Sequence, residues 1–89
     1  MSVTFSRTFQ KKIEKAPQKV KTAFKTRLFL FINEPFNEIL GNHSLKGEWK
    51  NYRSINITGD WRAIYRDLGD GKMELVEFVE IGTHSELYK

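Results

Sequence analysis

Apolar residues recur at helical spacing in the first third of the chain and at every second position later on, and this change of period restricts the fold more than any other feature. Val20, Phe24, Leu28 and Phe31, with Ala23 and Ile32, follow the spacing of an amphipathic helix that begins after Ala16 and stops at Pro35. A shorter helix precedes it. Ser6 suits its N-cap, and Phe9 and Ile13 stand four apart on one face. It ends near Ala16, because Pro17 disfavours helical geometry in the residue before it and suits the first position of the next helix. Val3 and Phe5 mark a short strand ahead of both helices.

After Pro35 the run Phe36 to Leu40 is too short to assign, and Gly41 to Gly47 reads as a loop. From Trp49 to about Ile57 the period is two: Arg53, Ile55 and Ile57 point one way, Tyr52, Ser54 and Asn56 the other. Thr58-Gly59-Asp60 makes a turn, Trp61 to Arg66 the next strand, and Leu68-Gly69-Asp70-Gly71 a hairpin loop. The last strand, Met73 to Ile81, has apolar residues of both parities and is therefore expected at the centre, covered on both faces. These elements predict a single α+β domain over residues 1–89 in the order β-α-α-β-β-β, an antiparallel sheet with a helical hairpin packed on one face.

A chain of 89 residues has room for one core and none for a separate cofactor domain. The absence of cysteine excludes disulfides, thiolate metal sites and cysteine nucleophiles. Only two histidines occur, with no His-x-x-x-His spacing, so neither a metal site nor a cofactor is expected. No apolar run approaches the roughly 20 residues of a membrane span, and the N-terminus lacks a signal-peptide core, which makes the cytoplasm the expected location. Charge is distributed unevenly. Residues 1–34 carry eight Lys/Arg against Glu14 and Glu34, a balance of +6, and residues 35–89 carry seven against nine acids, a balance of −2. A second positive zone lies within residues 43–66, where Lys46, Lys50, Arg53, Arg62 and Arg66 face only Glu48 and Asp60. Such zones favour polyanionic partners, whether nucleic acid or an acidic protein.

Both histidines lie in glycine-bracketed polar segments, Gly41-Asn42-His43-Ser44-Leu45-Lys46-Gly47 and Gly82-Thr83-His84-Ser85. RNA cleavage by internal transfer needs a base to take the 2′-hydroxyl proton, an acid to protonate the departing 5′-oxygen, and cations to hold the phosphate. An unperturbed imidazole, with a pKa of about 6.5, serves either proton task near neutrality. Asp60 is a candidate to orient a histidine or act as a base itself. Lys46, Lys50, Arg53 and Arg62 are candidates to stabilise the phosphorane, and Trp61 and Tyr88 offer flat faces for unstacked bases. Alone, a loop histidine is ordinarily a solvated residue and a tryptophan ordinarily part of a core; their joint occurrence in a basic chain points to a small ribonuclease.

At these residues the chain resembles the RelE/ParE superfamily of type II toxins, most closely its YafQ-like branch. The pattern runs Asn42-His43-Ser44-Leu45-Lys46-Gly47, Trp49-Lys50-x-Tyr52-Arg53, Asp60-Trp61, Ile64-Tyr65 and Gly82-Thr83-His84-Ser85-x-Leu87-Tyr88. The resemblance implies a ribosome-dependent endoribonuclease that cleaves mRNA without a metal and is neutralised by a cognate antitoxin. It also implies catalytic roles for His43, Asp60 and His84, with Trp61 beside the aspartate and Tyr88 as the C-terminal aromatic. Asn56 stands where that branch has a further histidine, and Glu80 where it has a basic residue. Asn56 remains a candidate to bind substrate. The alternative within the superfamily is a ParE-like protein that inhibits DNA gyrase without nuclease chemistry, against which the two histidines argue.

Overall fold

The computed structural model describes residues 1–88. Its helical hairpin forms where the apolar spacing predicts it, as α1 (Arg7–Lys15) and α2 (Gln18–Asn33). The Ser6 hydroxyl accepts from the Phe9 backbone N–H at 3.0 Å and donates to the Val79 carbonyl at 3.1 Å, so one side chain both caps the helix and ties it to the sheet. Ala16 takes extended backbone before Pro17, which ends α1. Pro17 itself is the N-cap of α2 rather than its first helical residue, a one-residue difference.

Five strands form one sheet: β1 (Ser2–Phe5), β2 (His43–Ser44), β3 (Arg53–Asn56), β4 (Trp61–Asp67) and β5 (Leu75–Thr83), in the order β1-β5-β4-β3-β2. The pairs β2–β3, β3–β4 and β4–β5 are antiparallel, and β1 lies parallel to β5 at the edge. β2 occupies the segment read as a loop; two residues are too few for a period to register. The expected strand from Trp49 is shorter, because Gly47–Trp49 winds into a 3₁₀ turn. The chain emerges from that turn with Asn51 at φ 76°.

Alternation sorts side chains onto two faces. Arg53, Ile55, Ala63, Tyr65 and Phe78 face the helices, while Ser54, Asn56, Arg62, Ile64 and Glu80 face away. β5 is the second strand of the sheet and not its centre, which corrects the sequence expectation. Its two parities come from a bulge: pairing jumps from Ile64↔Glu80 to Tyr65↔Phe78, leaving Val79 as an extra residue. Val76, Phe78 and Ile81 therefore all enter the helix-side core despite their spacing. At the middle of that core Phe78 meets the rings of Phe5, Phe9, Phe24, Phe31 and Tyr65, with centroids 5.3–6.1 Å away. Among the described residues no helix is long and apolar enough to cross a membrane.

Candidate functional site

The face of the sheet turned away from the helices collects the histidines. His43 in β2 is paired with Ser54 in β3, and directly opposed side chains in an antiparallel ladder share a face with Cβ atoms about 5 Å apart. The imidazole is exposed, and its Nδ1 lies 2.9 Å from the Gly41 carbonyl oxygen. A carbonyl only accepts, so Nδ1 carries the proton and the neutral ring keeps its lone pair on Nε2. His43 is thereby arranged to take up a proton at Nε2.

Gly41 makes this geometry available. Its φ of +55° lies in the left-handed region, and an added Cβ would come within 2.5 Å of Asn56 Nδ2. The Asn56 amide thus sits where a side chain at position 41 would be, on the same face as His43. Gly41→Ala is expected to lower stability by about 1–2 kcal/mol, the cost of left-handed backbone for a residue with a Cβ, and to push the Asn56 amide aside. Urea unfolding measures the first effect, and an unchanged midpoint would show that the loop readily adopts another conformation.

His84 begins a short C-terminal helix, α3 (His84–Leu87), at the end of β5. A capping box starts this helix: the Thr83 hydroxyl accepts from Glu86 N–H at 3.3 Å and Glu86 Oε1 accepts from Thr83 N–H at 2.7 Å. The Thr83-x-x-Glu86 spacing was the legible signal for it. The His84 backbone N–H donates to the Asp60 carbonyl at 3.0 Å, which brings the Thr58-Gly59-Asp60 turn against α3. The His84 and Tyr88 rings meet edge to face at 4.7 Å, and the Tyr88 hydroxyl donates to Ser54 Oγ at 2.8 Å. Ser54 is fully buried and is the residue opposite His43. A continuous line of contacts therefore runs from Asp60 through His84, Tyr88 and Ser54 to His43. Ser54 carried no catalytic signal in the sequence, because a serine on the polar parity of a strand is unremarkable.

The predicted cations and rings divide between the faces. Lys46 and Tyr88 line one groove of about 350 Å³ with Trp49 and Leu87, and the Trp49 indole N–H donates to the Leu87 carbonyl at 3.2 Å. Lys50 is exposed on the turn before β3. Arg62 lies opposite Asn56 on the histidine face, with Nη1 on the carbonyls of Thr58, Gly59 and Trp61. Arg53 differs from expectation: it points to the helix side, where Nε donates to Asn42 Oδ1 and the guanidinium lies over the Phe36 ring at 5.3 Å. Trp61 also differs; it shares the parity of Ala63 and packs against the core, since a large ring at that parity is better buried than displayed. Glu80 is ion-paired with Lys12 of α1 at 2.6 Å, so its carboxylate is partly neutralised from the helical side.

A family model described as the bacterial toxin YafQ of type II toxin-antitoxin systems matches residues 1–89. The chain belongs to the YafQ family. It is similar to the mRNA interferase toxin YafQ of Escherichia coli strain K12, at 31% identity over 97% of this chain and 94% of that protein. The crystal structure of YafQ from E. coli strain BL21(DE3) superposes with a TM-score of 0.80 at 26% identity, over 99% of this chain and 98% of the other. YafQ in the E. coli DinJ-YafQ toxin-antitoxin complex gives 0.76 at 26% identity, over 99% and 97%. Such agreement along both chains confirms the α+β fold of a YafQ toxin, helical hairpin on one face included.

Proposed function

We propose that this protein is the toxin of a type II toxin-antitoxin system, an endoribonuclease that cleaves mRNA in a ribosome-dependent manner. The observation that supports this best is the placement of His43 and His84 on one face of the sheet, joined through Tyr88 and Ser54 with Asp60 alongside. His43 and His84 share the base and acid roles. In the neutral state His43 accepts at Nε2 the proton released when the 2′-oxygen attacks phosphorus. The P–O5′ bond breaks as the partner imidazole gives its proton to the 5′-oxygen, leaving a 2′,3′-cyclic phosphate and a free 5′-hydroxyl. Asp60 assists His84, which its own backbone already holds. Lys46, Lys50 and Arg62 supply positive charge to the phosphorane, Asn56 hydrogen-bonds the RNA, and the Tyr88 ring contacts a base.

The same reading assigns one toxin domain to residues 1–89, a cytoplasmic location, and as partners the ribosome, its mRNA and a cognate antitoxin. The antitoxin is supported by the E. coli relative, whose structure is a complex with DinJ, and by the +6 balance of residues 1–34. Mapping RNA 5′-ends after induction tests the function. Cuts bearing 5′-hydroxyls are expected within translated reading frames, and a message stripped of its start codon should be spared. Cells that show DNA damage before any loss of message would overturn the nuclease assignment.

A further inference from the structure

We infer that Asn42 is a positioning residue for His43, acting through a hydrogen-bonded clamp on the helix side of the sheet. The inference rests on the reading of His43 as a proton-transfer group. His43 sits on a strand of two residues at the sheet edge, and two ladder pairs hold such a strand weakly. The residue before it is anchored far more firmly. Asn42 Nδ2 donates to the Pro35 carbonyl and to the Tyr65 hydroxyl, both at 2.8 Å, while Oδ1 accepts from Arg53 Nε at 2.8 Å. An amide has two donors and two acceptor lone pairs, so three of its four hydrogen-bonding positions are filled.

The Tyr65 anchor is held by its packing. Tyr65 is fully buried, its ring packed on Phe31 at 4.8 Å and Phe78 at 5.5 Å. Burial pushes its phenol pKa upward, so the hydroxyl stays neutral and available to Asn42. Pro35 lies just past the end of α2 and Arg53 begins β3. One amide therefore ties the end of α2, β3 and β4 to the residue adjoining His43. Because neighbouring strand residues point to opposite faces, pinning Asn42 on the helix side turns the imidazole toward Ser54, Asn56 and Tyr88. Arg53, expected at the phosphate, belongs to this clamp.

The test compares Asn42→Ala and Tyr65→Phe, the second keeping the packed ring and removing only the hydroxyl. Cleavage of ribosome-bound mRNA and the imidazole NMR signals of both histidines are read together. Asn42→Ala is expected to lower kcat about tenfold or more with KM within about twofold, and to move the His43 signals while those of His84 stay in place. Tyr65→Phe should change both readouts in the same direction by less. In a His43→Ala background, removing Asn42 should cost nothing further in kcat. Wild-type kcat in Asn42→Ala, or equal movement of both histidines, would overturn the clamp. If His43→Ala alone cleaves normally, the catalytic reading fails, and the His43 NMR displacement in Asn42→Ala still decides whether the clamp orients the ring.

Discussion

Replacing His84 with alanine is expected to reduce mRNA cleavage by about 10²- to 10⁴-fold, the usual contribution of a positioned acid or base, while leaving the protein folded. The imidazole is exposed and meets only the edge of the Tyr88 ring among the described aromatic rings, and the bond to the Asp60 carbonyl uses the backbone, which alanine retains. A stability change within about 0.5 kcal/mol is therefore anticipated, as for other exposed positions. Thermal unfolding beside single-turnover cleavage separates the two quantities. A folded His84→Ala variant that cleaves at the wild-type rate would remove His84 from the chemistry and leave the Asp60 turn with a purely structural role.

Replacing Phe78 with alanine is expected to cost about 3–5 kcal/mol, a large share of the roughly 5–15 kcal/mol available to a domain of ordinary stability. The ring is fully buried and touches five other aromatic rings drawn from β1, α1, α2 and β4. Removing it leaves a cavity that no single neighbour fills, because those neighbours are fixed by one another. Equilibrium unfolding in urea measures the loss. Phe78→Leu, which keeps much of the volume, should lose clearly less; equal losses would mean that ring contacts, not volume, hold this centre together.

The hairpin was legible because each signal for it is local. Ser6 caps α1 through its own next turn, and a proline bounds each helix whatever lies beyond. The parity of β3 was equally plain, since Arg53 and Ile55 do fall on one face and Ser54 and Asn56 on the other. What the period did not reveal is which face the chemistry uses, and so Arg53 was expected beside the phosphate when its parity already set it with Ile55. The last strand misled for a different reason. One extra residue at Val79 shifts the alternation, and a bulge mimics a strand that is apolar on both sides.

By itself the amino-acid order determined the helical hairpin, the alternating strands and the inventory of candidate groups, because helix caps, prolines and apolar periods act over a few residues. Only tertiary structure decided that His43 and His84, 41 positions apart, share a face through Tyr88 and Ser54, that Arg53 and Trp61 serve the helix side, and that Asn42 braces β2. Those outcomes depend on strand register and on a single bulge. Register is set by packing the whole sheet against the helices, a sum over distant contacts that no short window of sequence contains.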